Sequence, residues 1–256
     1  MTIQEICTVQ THELCGTGLY ALSVHAPEIC AQAQPGQFVH IACGEANLLR
    51  RPISICDVQG DVLTVVFQVK GEGTAWLARR TPGHKLDLLG PIGHGFDVAA
   101  LGERPVMIGG GIGVPPMLMT MKAAAAAGAQ PAAITGFRSK DAVILEEDFR
   151  AAGDTFVCTD DGSYGVHGFV SAVLEEQIDA FTGVCACGPK PMLQAIAAIA
   201  EKAGIPCQVS MEERMGCDIG ACLVCACALK AQEGGEVHYG HVCKDGPVFD
   251  AKEVVW

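Results

Sequence analysis

Short runs in which apolar and polar residues alternate fill the first hundred positions. Leu19–Val24, Phe38–Ala42 and Val62–Val69 each carry the pattern, and turn clusters such as Gln34-Pro35-Gly36-Gln37 and Asp57-Val58-Gln59-Gly60-Asp61 stand between them. Evenly spaced short strands of this kind close into an antiparallel barrel. From Arg104 the period changes. Pro105–Ile108 reads as a buried strand, Gly109-Gly110-Gly111-Ile112-Gly113 as a tight turn, and Val114–Ala127 as an alanine-rich helix with prolines in its first turn. Further strands are predicted at Ala132–Thr135, Thr155–Thr159, Gly183–Ala186 and Gln208–Ser210, with helices at Ala142–Arg150, Gly168–Gln177 and Pro191–Ala203. Strand and helix in alternation give a doubly wound parallel sheet, whose ligands lie beyond the carboxyl ends of its strands. The expected fold is therefore all-β followed by α/β: a barrel over 1–100, a nucleotide-binding domain over 101–210 and a small module over 211–256.

That module carries the most specific chemistry. Met215-Gly216-Cys217-Asp218-Ile219-Gly220-Ala221-Cys222-Leu223-Val224-Cys225 is a C-x4-C-x2-C run, and Cys243 follows after a glycine-rich polar interval. This is the plant-type spacing that holds a 2Fe–2S cluster through four thiolates, here Cys217, Cys222, Cys225 and Cys243. The small residues Gly216, Gly220 and Ala221 let backbone N–H groups approach the sulfurs. Zinc also takes four cysteines, but its ligands come as two short knuckles rather than three from one loop and one alone. Cys227 reads as a spare thiol in a strand.

Composition narrows the setting. A formal net charge of −12 argues against nucleic acid and against an anionic membrane surface. No run has the length of a spanning helix, and the first residues lack a basic-then-apolar leader, so a cytoplasmic protein is expected. Fourteen cysteines in a reducing compartment read as thiols and metal ligands, with Cys7, Cys30, Cys43, Cys158 and Cys207 as small buried hydrophobes.

Within the barrel, Arg50-Arg51-Pro52-Ile53-Ser54 fixes an arginine and a hydroxyl at a strand start. Lys70-Gly71-Glu72-Gly73-Thr74 precedes a helix predicted over Ala75–Arg80, whose N-terminus suits a phosphate. Together the two make a flavin diphosphate site. Leu89-Gly90-Pro91-Ile92-Gly93-His94-Gly95-Phe96 marks the crossing between domains, with His94 as a solvent-facing loop residue. The glycine turn at 109–113 does not fit G-x-G-x-x-G, yet it aims amides at a strand end where a pyrophosphate fits. Asp160 and Asp161, after a later strand, suit either ribose hydroxyls or a turn. Arg138 and Lys140 leave the choice between NAD and NADP open.

Taken together, Arg51-Pro52-Ile53-Ser54, Gly71-Glu72-Gly73-Thr74, Leu89–Gly93, Gly109–Gly113, Cys187-Gly188-Pro189 and Met211–Cys217 resemble the ferredoxin–NADP reductase superfamily over nearly the whole chain. Within it, the chain is most similar to the electron-transfer subunits of NAD-dependent dihydroorotate dehydrogenases. The resemblance implies FAD on the barrel, with Arg51, Pro52, Ile53 and Ser54 at flavin and phosphate, Val66, Phe67 and Gln68 at the adenosine or ring edge, and Gly73 and Thr74 at the diphosphate. It implies NAD at Gly110, Gly111, Gly113, Cys187, Gly188 and Pro189, and no catalytic acid or base in this chain. It also implies an FMN-containing catalytic partner, two copies of each subunit forming a heterotetramer, and electrons passing from FMN through cluster and FAD to NAD. The small subunit of an NADPH:ferredoxin or sulfide-linked oxidoreductase is the alternative of the same class; an iron–sulfur redox sensor is one of another class. Two positions depart from the pattern. Ile53 stands where the superfamily usually places a tyrosine, and Asp218 where glycine is expected, so that a carboxylate either disfavours reduction of the cluster or faces solvent.

Overall fold

The computed structural model describes residues 2–231 and 236–256. Part of the glycine-rich interval before Cys243 lies outside them. The chain begins with β1 (Ile3–Gly16), β2 (Leu19–His25), a single helical turn α1 (Pro27–Cys30), β3 (Phe38–Ile41), β4 (Arg51–Gln59), β5 (Val62–Gln68), α2 (Glu72–Leu77) and β6 (Lys85–Ile92). The six strands close into an antiparallel barrel in the order β1-β2-β5-β4-β3-β6. Alternation assigns the two faces of each strand. On β3, Val39 and Ile41 point into the barrel core with Leu22, Ile55, Leu63, Phe67 and Leu88, whereas Phe38 packs into the separate core shared with the rest of the molecule.

The second unit contains β7 (Pro105–Gly110), α3 (Pro115–Ala126), β8 (Ala132–Phe137), α4 (Glu146–Ala152), β9 (Asp154–Thr159), β10 (Val166–His167), α5 (Val170–Gln177), β11 (Gly183–Cys187), α6 (Lys190–Ala203) and β12 (Cys207–Ser210). The hairpin β13 (Ala226–Lys230) and β14 (Val237–His241) follows, then β15 (Val248–Asp250). The large sheet runs β10-β9-β8-β7-β11-β12-β15, parallel except for β15, which adds antiparallel to β12. The chain winds outward from β7 in both directions, so the crevice between β7 and β11 is the topological switch point. There Gly109 pairs with Cys187, and Cys187 with Ser210, level across three strands.

Most elements shift by a residue or two at one end, and three of the differences have a clear local cause. The helix predicted over Ala75–Arg80 starts at Glu72, because the Thr74 hydroxyl accepts from the amides of Lys70 (2.9 Å) and Gly71 (3.2 Å) and closes the turn early. The helix predicted from Ala142 is split: a 3-10 turn covers Lys140–Ala142, Leu145 takes a left-handed φ of 61°, and α4 begins after it. Gly109 and Gly110 belong to β7, leaving Gly111–Gly113 as the turn.

α3 lies against β4, and Lys122 Nζ on that helix sits 2.6 Å from Asp57 Oδ2 on the barrel. The third unit is anchored by β15 pairing with β12 and by His94 N donating to Gly246 O (2.6 Å), and within it Met211 N donates to Pro247 O (2.8 Å). Among the described residues no helix is long and apolar enough to cross a membrane.

Candidate cofactor and electron-transfer site

One cleft draws its walls from all three units. The barrel gives Phe38, Arg51, Pro52, Ile53, Ser54, Val66, Phe67, Gln68, Lys70 and Thr74; the large sheet gives Ile112, Cys187 and Ser210; and the third unit gives Met211, Glu212, Glu213, Met215 and Pro247. Nine of the candidate cofactor-binding residues meet here: Arg51 to Ser54, Val66 to Gln68, Thr74 and Cys187. Met211, Glu212, Glu213 and Met215 belong to the 211–217 motif, which assigns them no place at the cofactors, and Ser210 carries no motif. The signal that finds them is position, since Ser210 ends the strand beside Cys187.

The diphosphate reading is tested by the space around Gly73. A Cβ there would lie 2.7 Å from Arg51 Cζ and 2.8 Å from Nη2, so only glycine lets this guanidinium lie over the first turn of α2. Arg51 Nη2 donates to Asn47 Oδ1 at 3.1 Å and Nη1 to the Leu49 carbonyl, which hold the group in place. The amides of Lys70 and Gly71 are taken by Thr74; those of Glu72, Gly73 and Thr74 are the ones a helix leaves without intrahelical partners. A cation beside first-turn amides is a fit for a diphosphate. Ile53 sits in the cleft wall, an aliphatic surface for a ring face.

At the switch point the glycines divide by role. A Cβ on Gly109 would lie 2.6 Å from Val114 Cα and one on Gly110 2.5 Å from Met192 Sδ, while one on Gly113 would run into the Cys187 carbonyl. These three let the turn, α6 and the Cys187-Gly188-Pro189 segment close on one another. Gly188, at φ 155°, likewise packs on Met192. Gly111 alone opens outward, at φ 55° with no atom within 4 Å of its Cβ position. We expect Gly111→Ala, which adds a methyl at a left-handed, open position in the turn that ends β7, to raise the KM for NADH several-fold with FAD and iron content unchanged. An unaltered KM would show that the nucleotide does not pass over this turn.

Cys187 is buried, and burial, reinforced by Glu212, pushes its thiol up to about 12. The crevice thus presents a neutral thiol at neutral pH. Asp161 is committed to its own turn: Oδ1 accepts from Ser163 N (2.9 Å) and Ser163 Oγ (2.6 Å), and these bonds hold its carboxyl below the usual range. Asp160, Arg138 and Lys140 stand exposed on the neighbouring loops, Lys140 with its ammonium 5.7 Å over the Tyr164 ring.

The four module cysteines come together in two pairs. Cys217 lies against Cys222, and Cys243 against Cys225. The hairpin brings the distant fourth thiol home: Cys225 precedes β13, Cys243 follows β14, and Val242 N donates to Cys225 O at 3.0 Å. Among the described residues no three His, Cys, Asp or Glu side chains converge as for a single ion. Four thiols gathered in this way would fit a two-iron cluster, with Cys217, Cys222, Cys225 and Cys243 holding it. Ala221 N and Cys222 N both donate to Cys217 Sγ at 3.2 Å, the amide contacts that the small residues of the loop were expected to allow. Backbone amides, those of Ile219 and Cys222 foremost, bring the Cys217 thiol down to about 7. By contrast burial holds Cys7 and Cys207 at about 12 and Cys158 at about 11, as suits small buried hydrophobes. Asp218 neither faces solvent nor stands free beside the sulfurs. It is buried and paired with His40 of β3.

A barrel with an arginine over the first turn of a helix, a doubly wound sheet with an open glycine at its switch point, and a module of clustered cysteines define a flavin- and nicotinamide-dependent iron–sulfur oxidoreductase of the ferredoxin reductase class. The iron–sulfur cluster binding domain of dihydroorotate dehydrogenase B matches residues 212–255, and the oxidoreductase NAD-binding domain matches 107–198. The dihydroorotate dehydrogenase B (NAD(+)) electron transfer subunit of Geobacillus thermodenitrificans is 44% identical over 259 residues, covering 98% of each chain, and that of Bacillus caldolyticus is 43% identical over the same span. The chain belongs to this family of electron transfer subunits. Among solved structures, an NADH-dependent reduced ferredoxin-NADP oxidoreductase studied for flavin-based electron bifurcation superposes with a TM-score of 0.87 at 25% identity, over 98% of this chain and 90% of that one. A ferredoxin NADP+ reductase from Neisseria gonorrhoeae, with bound FAD and NADP, shares the fold at a TM-score of 0.68 and 17% identity, over 78% of this chain and 92% of that one.

Proposed function

We propose that this chain is the subunit through which electrons taken from dihydroorotate reach NAD+ in pyrimidine biosynthesis, with FAD, a 2Fe–2S cluster and NAD as its cofactors. Its partner is the FMN-containing subunit that oxidises dihydroorotate, two copies of each forming a heterotetramer in the cytoplasm. The working parts are the FAD-binding barrel at 1–100, the NAD-binding domain at 101–210 and the cluster module at 211–256. The observation that carries the reading is one cleft walled by all three: Cys187 and Ile112 line it from the large sheet and Met215 from the module, so a flavin held there would have the nicotinamide side and the cluster side both in reach.

The bound groups supply exchange of two electrons as hydride between flavin and nicotinamide, and of one electron at a time at the cluster. The chain supplies placement. Arg51 and the first-turn amides of α2 would hold the diphosphate, Ile53 and Phe67 would hold the ring, and Gly111 with Cys187, Gly188 and Pro189 would admit the nicotinamide against it. Met215 ends the cleft wall, and Cys217 begins the ligand set two residues on. Cys222 is the exposed ligand, while Cys225 and Cys243 are buried. Around it Ile219, Leu223 and Val224 are 67%, 60% and 55% exposed, an apolar collar suited to a partner protein.

Reconstitution with a catalytic partner tests the assignment. The two chains together should reduce NAD+ with dihydroorotate; this chain alone should reduce artificial acceptors with NADH but leave dihydroorotate untouched. Leu223→Glu should weaken assembly by about tenfold or more, as a charge does at an interface centre, with NADH-to-acceptor rates unchanged. Assembly at parental affinity would remove the collar from the interface. The oxidoreductase alternative rests on a shared fold at 25% identity against 44% for the family; ferredoxin reduction without any dihydroorotate activity would favour it.

A further inference from the structure

We propose that the buried pair of His40 and Asp218 is a latch that seats the cluster loop on the flavin barrel and fixes the first ligand, Cys217, at the end of the cofactor cleft. His40 is 1% exposed and Asp218 8%, the contact running from His40 Nδ1 to Asp218 Oδ2. Neither His40 Nε2 nor Asp218 Oδ1 has a further partner among the described residues, so each side chain depends on the other for its burial. The latch joins two lines of chain that both begin in the cleft wall. Phe38, two residues before His40 on the same face of β3, lines the cleft and packs on the His40 ring at 5.6 Å; Met215, three residues before Asp218, lines it from the other side.

The backbone explains why a side chain is needed here. Asp218 has a φ of 66°, a left-handed conformation that glycine adopts freely and aspartate only at a cost. Leu223, also in the loop, has a φ of 61°. An aspartate in such a place, with its carboxylate turned inward onto a barrel histidine, is held by that contact and not by backbone preference. The turn it fixes is the one that delivers the amides of Ala221 and Cys222 to the Cys217 sulfur. Gly216 and Gly220 flank it and are free to rotate once it opens. His40 and Asp218 are positioning residues; neither lines the cleft or ligates metal.

The proposal rests on Cys217 being a cluster ligand, and the test separates the two ideas. The full chain is purified anaerobically as parent, Asp218→Gly, His40→Leu, the double variant and Asp218→Asn, each with FAD, iron and sulfide content. Iron release to a chelator and the low-temperature EPR spectrum of the dithionite-reduced protein are then recorded. Asp218→Gly removes the carboxylate at a position whose backbone glycine adopts freely, so it tests the contact even where His40→Leu fails to fold, and Asp218→Asn separates the carboxylate from the backbone. Asp218→Gly should release iron about tenfold faster or more, the effect of unmaking one buried polar pair, and broaden the EPR signal with FAD retained. The double variant should behave as the faster single, and Asp218→Asn, which keeps an oxygen for His40, should restore the parental spectrum. Parental release and EPR in Asp218→Gly, or single effects that simply add, would overturn the latch with the cluster reading intact. A parent without two irons and two sulfides would overturn both.

Discussion

Replacing Gly73 by valine is expected to yield a folded, cluster-bearing protein that retains no FAD. The glycine lies in the first turn of α2 with Arg51 directly over it, so the valine side chain fills the space between the guanidinium and the amides and pushes the cation aside. Two charge-assisted contacts to a diphosphate go together. At about 1.5–3 kcal/mol each, the affinity falls by about a hundredfold or more. The cluster module does not share this fate, because its anchors, β15 against β12 and Gly246 against His94, involve no residue of α2. Gly71→Ala is the matched control: its backbone is extended and nothing lies within 4 Å of the added methyl, so FAD should stay. Full flavin content in soluble Gly73→Val, measured after gel filtration, would show that this turn holds no phosphate.

Local patterns carried much of the architecture into view. The barrel was legible because its turn residues fall between alternating runs, and the module's cysteines stood out because three of four sit in one loop at a spacing that suits a metal group. What could not be read depends on tertiary approach. Gly110, Gly111 and Gly113 look alike in a row, yet only Gly111 has open space at its Cβ; Gly110 and Gly113 are small because Met192 and the Cys187 carbonyl come against them from elsewhere in the chain. The start of α2 was misplaced because a side-chain hydroxyl, Thr74, satisfies amides ahead of the helix. Asp218 read as a departure with two possible meanings, and its partner is a histidine on a barrel strand that no local pattern could join to it. β15 is three residues long, too short for any period to declare it.

The largest effect on the whole reaction is expected from Cys222→Ser. A hydroxyl is a poor ligand for iron beside a thiolate, and Cys222 is the exposed member of the set, ringed by the apolar collar where the partner would dock. Hydride exchange between NADH and FAD requires the barrel and the large sheet, which this change does not touch. The variant should therefore keep FAD and reduce an artificial acceptor with NADH near the parental rate, while dihydroorotate-to-NAD turnover in the reconstituted complex falls by about a hundredfold or more, since metal loss also loosens the loop. The most direct measurement is anaerobic mixing of dihydroorotate with parent and Cys222→Ser complexes in the absence of NAD, following the FAD of this subunit by its absorbance and the cluster by EPR. In the parent both should become reduced; in the variant the FAD of this subunit should stay oxidised. FAD reduction at the parental rate in a folded, FAD-replete, partner-bound variant would contradict the route through the cluster.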